Sequence, residues 1–229
     1  MTARDTQKTR KKRVFIVDDH PIVRNGLSLL INQEDDLVVC GEASNAEQAL
    51  SRIGRLRPHL AMVDISLRGS NGIELTKAIR ASAPRTAVLM LSMHDESLYT
   101  ERALRAGARG YVMKQEPPET VLEAIREVLS GGLYLSGNMK SRMLRELVDG
   151  VPFDESKTGI EKLSDRELEI YELIGRGMPT REIAASLGLS VKTVDTHREH
   201  IKQKLGLRNA TELVHHAIRW MDGEMDGGD

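Results

Sequence analysis

Between residues 14 and 131 the chain alternates short apolar runs with stretches whose apolar positions recur at helical spacing. The runs are VFIV (14–17), LVVCGEA (37–43), LAMVD (60–64), AVLMLS (87–92) and GYVMK (110–114). Residues 21–33, 45–56, 72–82, 95–106 and 117–131 lie between or after them and carry the period of amphipathic helices. Strands that are apolar throughout, separated by helices, imply a parallel sheet covered on both faces. Five such units predict an α/β domain of the flavodoxin-like (βα)5 type, a doubly wound parallel sheet. Ligands of such sheets bind in the crevice beyond the carboxyl ends of the strands.

After Gly131-Gly132 this rhythm fades. LYLSGNMKSRMLRELV has room for a short helix, and DGVPFDESKTG reads as linker. From Leu163 onward only helical segments follow, four of them, which predicts a small all-α helix-turn-helix domain. Ser164 and Glu167 have the spacing of a capping box, flanked by Leu163 and Leu168 as a hydrophobic staple. Thr180, Ser190 and Asn209 are expected as the next three N-caps, with Gly188 in a tight turn before Ser190. The expected organisation is a basic tail (1–13), the α/β domain (14–131), a linker (132–160), the helical domain (161–221) and an acidic tail (222–229). Both tails are expected to be disordered.

The 229 residues suffice for two domains, and 40% hydrophobic with 29% charged residues is ordinary for a soluble globular protein. No apolar run approaches the roughly 18 residues of a membrane span. The basic start is followed by only four apolar residues before two acids and is not read as a signal peptide. A single cysteine, Cys40, excludes an internal disulfide and a cysteine-based zinc site, suits a reducing cytoplasm, and is expected as a small buried residue on its strand. The net charge of −1 is uninformative about nucleic acid because charge is unevenly placed. With 3% aromatic residues, a base-stacking platform for single strands is not expected.

The ends of the predicted strands deliver Asp18 and Asp19, then Asp64, then Ser92, then Lys114. Taken singly, each has an ordinary reading: acids opening a helix, a loop cap, a surface lysine. Taken together, three carboxylates in one crevice call for a cation, and hard oxygen ligands suit Mg²⁺. A carboxylate beside a metal and a lysine is equipped to accept a phosphoryl group. With VDDH, MVDIS, LS at Ser92 and GYVMK in this order and spacing, residues 14–131 resemble a response-regulator receiver domain. The resemblance implies that Asp64 is the phosphoacceptor and that Asp18 and Asp19 hold Mg²⁺ with Asp64 and the Ser66 carbonyl. It further implies that Ser92 and Lys114 contact the phosphoryl group and that Tyr111 is an aromatic switch. The chain departs from the family pattern at Leu67 and Arg68, where many receivers have Met-Pro. Arg68 in place of that proline frees a turn and adds a charge beside the site.

In the second domain, Val191, Val194, Ile201 and Leu205 form an apolar stripe on the segment 190–205. The opposite face and its edges carry Lys192, Thr193, Asp195, Thr196, Glu199, Lys202 and Lys204, with His200 at one edge and His197 bordering the stripe. Cations for phosphates and polar groups for base edges are the profile of a helix entering a major groove. Residues 163–220 resemble the LuxR-type helix-turn-helix, and its pairing with a receiver is that of the NarL/FixJ response regulators. The combined resemblance implies a transcription regulator of a two-component system. Its expected partners are a sensor histidine kinase, double-stranded DNA with two-fold related half-sites, a second copy of the chain when phosphorylated, and RNA polymerase as a further contact. The last helix would help form the dimer through Leu213, Val214, Ala217 and Ile218, although Val214 and Ile218 fit a core role equally well. His215 and His216 read as surface residues rather than metal ligands, since adjacent side chains on a helix diverge.

Two other readings were open to the same residues. An aspartate-nucleophile phosphatase would also combine Asp, Mg²⁺ and Lys, but it needs a second acid two residues after the nucleophile, where this chain has Ser66. A receiver acting as an interaction module without phosphoryl transfer is opposed by the complete set of acids. The expected protein is cytoplasmic and not an enzyme.

Overall fold

The five apolar runs become the strands of one parallel sheet in the computed structural model, which describes residues 11–93, 96–148 and 159–222. The greater parts of both tails and residues 149–158 of the expected linker lie outside the described residues. The chain divides between Met139 and Lys140 into two units. In the first, β1 (Lys12–Val17), β2 (Leu37–Ala43), β3 (Leu60–Asp64), β6 (Ala87–Ser92) and β7 (Gly110–Met113) pair in the order β2-β1-β3-β6-β7. Between β3 and β6 lie two short strands, β4 (Ser66–Leu67) and β5 (Ser70–Asn71), that pair antiparallel. The helices are α1 (Pro21–Asn32), α2 (Ala46–Leu56), α3 (Gly72–Ser82), α4 (Glu96–Ala106) and α5 (Pro118–Leu129).

The central strand β3 is buried at every position, which explains its unbroken apolar run. Val14, Ile16, Leu60, Met62, Leu89, Leu91 and Val112 of the sheet pack with Ile31, Val121, Ile125 and Val128 of the helices. Each such side chain contributes about 1.5–3 kcal/mol by leaving water. Strand β2 is at the edge and only Leu37 and Ala43 are fully buried there. Cys40 is therefore half-buried rather than buried as expected. The β1–β2 register slips from Val14↔Val39 to Phe15↔Gly41, so Cys40 occupies a bulge of the edge strand.

The β4–β5 pair was not foreseen, because two-residue strands carry no periodicity. It turns through Arg68 and Gly69, whose φ of 72° suits glycine. Asn71 then caps α3 by accepting from Ile73 N at 2.8 Å, and Gly72 N donates to Ile65 O at 2.7 Å. A Cβ at Gly72 would lie 2.0 Å from the Asp64 carbonyl oxygen. Only glycine lets this loop fold back against the strand end that carries Asp64.

Helix α6 (Gly137–Val148) fills much of the stretch expected as linker. Ser136 Oγ accepts from Met139 N at 3.1 Å, and Met139 is buried, so the helix has an anchored start.

The second unit contains a 3-10 turn (Ile160–Lys162), α7 (Asp165–Gly175), α8 (Thr180–Leu187), α9 (Val191–Leu205) and α10 (Ala210–Met221). The capping box is present: Ser164 Oγ accepts from Glu167 N (3.3 Å) while Ser164 N donates to Glu167 Oε2 (2.7 Å). Leu163 and Leu168 beside it are both buried. Ser190 accepts from Thr193 N and Asn209 from Glu212 N, as N-caps do. Thr180 is not an N-cap: Pro179, extended at φ −69° and ψ 152°, holds that place and Thr180 is the first helical residue. Gly188 ends α8 at φ 64°.

Ile170, Tyr171, Ile174, Ile183, Val194, Ile201, Leu213 and Ala217 are all buried in this unit. The stripe on α9 is narrower than expected, since Val191, at the helix start, is 41% exposed. Two dimerisation candidates are corrected by the same packing. Leu213 and Ala217 are fully buried because they face α7, and they present no surface to a second chain. No described helix is long and apolar enough to cross a membrane.

The closeness of Gly72 to Asp64 generates a prediction. Gly72→Ala must displace backbone rather than a flexible side chain, and should cost about 1–3 kcal/mol, the usual range for overpacking. Urea unfolding of wild type and variant measures it; equal midpoints would show that the loop does not depend on this approach.

Candidate functional site: a carboxylate pocket and an exposed helix

Strand register builds the pocket. Val17 pairs with Val63, so the next residues, Asp18 and Asp64, leave adjacent strands at one level. Asp64 is level with Leu91, and Ser92 follows; Ser92 is level with Met113, and Lys114 follows. Lys114 N donates to Ser92 O at 2.8 Å and fixes the last pair of strand ends. Lys114 Nζ lies 2.6 Å from Asp64 Oδ2 and 2.7 Å from Asp18 Oδ2. Asp18, Asp64 and Ser92 are buried, and the Asp19 side chain is only 9% exposed.

Three acids meet one lysine here, so charge is not balanced. Burial, aided by the charges of Asp18 and Asp19 and opposed by Lys114, raises the Asp64 carboxyl to about 7. Burial alone would lower the Lys114 ammonium, but the Asp64 and Asp18 carboxylates outweigh it and hold it above its ordinary value. Asp18, Asp19, His20 and Asp64 each offer one donor atom within 4.8 Å of the others. The oxygen donors of the three aspartates are those a hard divalent cation takes.

His20 was not singled out from the sequence, although its place directly after the acid pair was a usable signal. Its N donates to Asp18 Oδ1 (2.7 Å), and its Nδ1 lies 2.8 Å from Asp19 Oδ1. Arg68 Nε sits 3.4 Å from Asp19 Oδ2 on a side chain that is 73% exposed. The charge expected from this residue does reach the pocket. Ser66 N donates to Asp64 Oδ1 at 3.3 Å. Tyr111 is buried on β7, level with Met90 and three residues before Lys114.

On α9, Lys192, Asp195, Thr196 and Glu199 are exposed and lie away from buried Val194 and Ile201. Thr193 is half-buried and its Oγ1 bonds Ser190 Oγ at 2.7 Å, so its hydroxyl helps cap the helix. Lys202 Nζ pairs with Glu199 Oε1 at 2.9 Å, and Lys204 Nζ with Glu167 Oε2 at 2.5 Å. Burial would raise Glu167, yet Lys204 and Ser164 outweigh it and hold the carboxyl below its usual value. His197 is half-buried and burial lowers its imidazole, against the pull of Glu167. Arg198, not among the expected contacts, is half-buried and donates to Thr180 Oγ1 at 3.3 Å.

On α10, Val214 is half-buried while Ile218 and Met221 remain exposed. His215 is exposed as expected, whereas half-buried His216 meets the Tyr171 hydroxyl through Nδ1 at 2.5 Å.

Residues 14–126 match the family described as "Response regulator receiver domain", and residues 161–217 match "Bacterial regulatory proteins, luxR family". The chain is 37% identical over 210 residues to the oxygen regulatory protein NreC of Staphylococcus carnosus (strain TM300), covering 90% of this chain and 97% of NreC. Among solved structures, it resembles a LuxR-family two-component response regulator from Aurantimonas sp. SI85-9A1. That pair is 34% identical with a TM-score of 0.57, covering 61% of this chain and 99% of that one. It also resembles RcsB of Salmonella enterica serovar Typhimurium bound to the promoter P1flhDC in the presence of the phosphomimetic BeF3⁻. There the identity is 26% and the TM-score 0.60, over 91% of this chain and 98% of RcsB. Two domains in this order, with NreC matched over 90% of this chain, make the chain a member of the NarL/FixJ family of two-component response regulators, DNA-binding transcription factors rather than enzymes.

Proposed function

We propose that Asp64 accepts a phosphoryl group from a phosphohistidine of a sensor kinase, and that this controls dimerisation and DNA binding. The observation that carries the reading is the Lys114 ammonium held between Asp64 and Asp18 at the strand ends. An Asp64 oxygen attacks phosphorus as the P–N bond to the donor imidazole breaks and that imidazole takes a proton. Lys114 then holds a phosphoryl oxygen by its charge, and Ser92 donates its hydroxyl to another. Tyr111, buried behind them, changes its packing as Ser92 turns. Asp18, Asp19, Asp64 and the Ser66 carbonyl form an oxygen donor set that fits Mg²⁺. When bound, Mg²⁺ neutralises charge on the transferring oxygens. Arg68 and His20, paired with Asp19, must give way to the cation.

The DNA surface is the exposed side of α9, entering the major groove. Lys192, Thr196 and Glu199 address base edges, with Asp195 and Thr193 beside them. Lys202, Lys204 and His197 lie at the flanks, where phosphates run. Val214 and Ile218 supply a dimer contact, so the operator has two-fold related half-sites. RNA polymerase is a further partner, and the site of action is the cytoplasm.

Three outcomes follow. Asp64→Asn should abolish labelling by a radioactive small phosphodonor in the presence of Mg²⁺ while leaving the circular dichroism unchanged; labelling that persists would falsify the assignment. Beryllofluoride with Mg²⁺ should raise the mass seen in sedimentation at micromolar concentration, and an unchanged mass would remove dimerisation from the mechanism. Glu199→Ala should alter the site selected from a random DNA pool and relax preference at one position by roughly 1–3 kcal/mol. Nonspecific binding should be equal or tighter, since a carboxylate repelled by phosphate is gone and Lys202 is released. Selection of the same site as wild type would take Glu199 out of the readout.

A further inference from the structure

The capping box at the start of α7 leaves one carboxylate oxygen over. Glu167 Oε2 accepts from Ser164 N at 2.7 Å and from Lys204 Nζ at 2.5 Å. Oε1 faces Nδ1 of His200 at 3.8 Å, too long for a hydrogen bond. His197 lies one turn before His200 on the same face of α9. Its Nδ1 is buried and has no hydrogen-bond partner among the described residues. One donor atom from each of Glu167, His197 and His200 lies within 4.8 Å of the others.

We propose that Glu167, His197 and His200 form a site for a divalent transition cation of the zinc class, tying the first turn of α7 to the middle of α9. Two imidazoles and one carboxylate, with a fourth position open to solvent, are a zinc donor set. The oxygen-only pocket of Asp18, Asp19 and Asp64 has the opposite preference, so the two sites divide hard from borderline cations. Zinc–ligand bonds of about 2.0–2.2 Å put tetrahedral neighbours roughly 3.4 Å apart. The three donors therefore need to close by about 1 Å, which takes torsions of the exposed His200 side chain together with small ones of Glu167 and His197. Lys204 opposes the cation by its charge, but it holds the other oxygen of Glu167 and its side chain is 39% exposed, free to swing outward. Burial favours the neutral form of His197, which is the form that ligates. Loading stabilises the folded domain by mass action and fastens the helix that carries Lys192 and Glu199.

The test uses the full chain in saturating Mg²⁺, which fills the receiver carboxylates, titrated with Co²⁺ as a coloured substitute for Zn²⁺. The expected result is one equivalent with the strong visible absorption of a four-coordinate site, abolished by added Zn²⁺. His200→Gln, on an exposed side chain, should lose the band and weaken Co²⁺ binding by at least about tenfold, more than an outer-shell change does at its mildest. His197→Gln should do the same, and Asp64→Asn should keep the band. Circular dichroism checks that each variant is folded. The proposal is overturned if wild type shows no band, if both histidine variants retain it, or if Asp64→Asn alone removes it.

Discussion

The receiver unit depends on a lysine that holds two buried carboxylates together. Lys114 Nζ reaches Asp64 and Asp18 at once, and removing it would leave like charges facing each other in a buried crevice. Such a cluster is tolerated only where cations compensate it. The parallel register delivers that compensation, because the residues involved each follow the last or near-last rung of their strands. The same imbalance that makes the pocket costly makes it receptive: one buried ammonium and one exposed guanidinium at its edge among three acids leave room for another cation and for a group that carries oxygen.

The recognition unit solves a different problem. Its core is small, and charged residues reach inward to brace it. Glu167 closes the capping box and receives Lys204 from α9, while Arg166 bonds Glu169 and the carbonyl of Leu187. These contacts hold α9 at a defined angle to α7 and α8. A helix that reads a groove by a few side chains needs such a mount more than it needs a larger apolar face.

Much of the receiver was legible because β3 and its neighbours are buried on both sides, so their apolar runs have no other reading. The strand-end residues Asp18, Asp64, Ser92 and Lys114 were legible for the same reason: parallel strands all end on one edge. The antiparallel β4–β5 pair was not, since four residues show no period and the turn rests on Gly69 and Gly72 rather than on pattern. The inward facing of Leu213 and Ala217 was hidden by the breadth of the apolar stripe on α10, which exceeds what the core takes. Thr180 lost the cap to Pro179, whose ψ of 152° keeps it outside the helix while Thr180 is already helical, and no side-chain hydrogen bond marks that boundary. Long-range partners such as Lys204 with Glu167, or Arg68 with Asp19, leave no trace in local sequence. Only the folded chain brings them together.

The pairing of Lys202 with Glu199 and of Lys204 with Glu167 has a consequence for how DNA binding senses its medium. A lysine that meets DNA from water displaces counterions condensed on the phosphates, and each such exchange steepens the dependence on salt. A lysine that must first leave a carboxylate strands that carboxylate near the same phosphates, where it recruits cations back. Ionic strength also weakens the pair being given up. Two of the lysines on α9 therefore exchange one anion for another, and the affinity of this domain should fall with salt less steeply than a count of its basic side chains would imply.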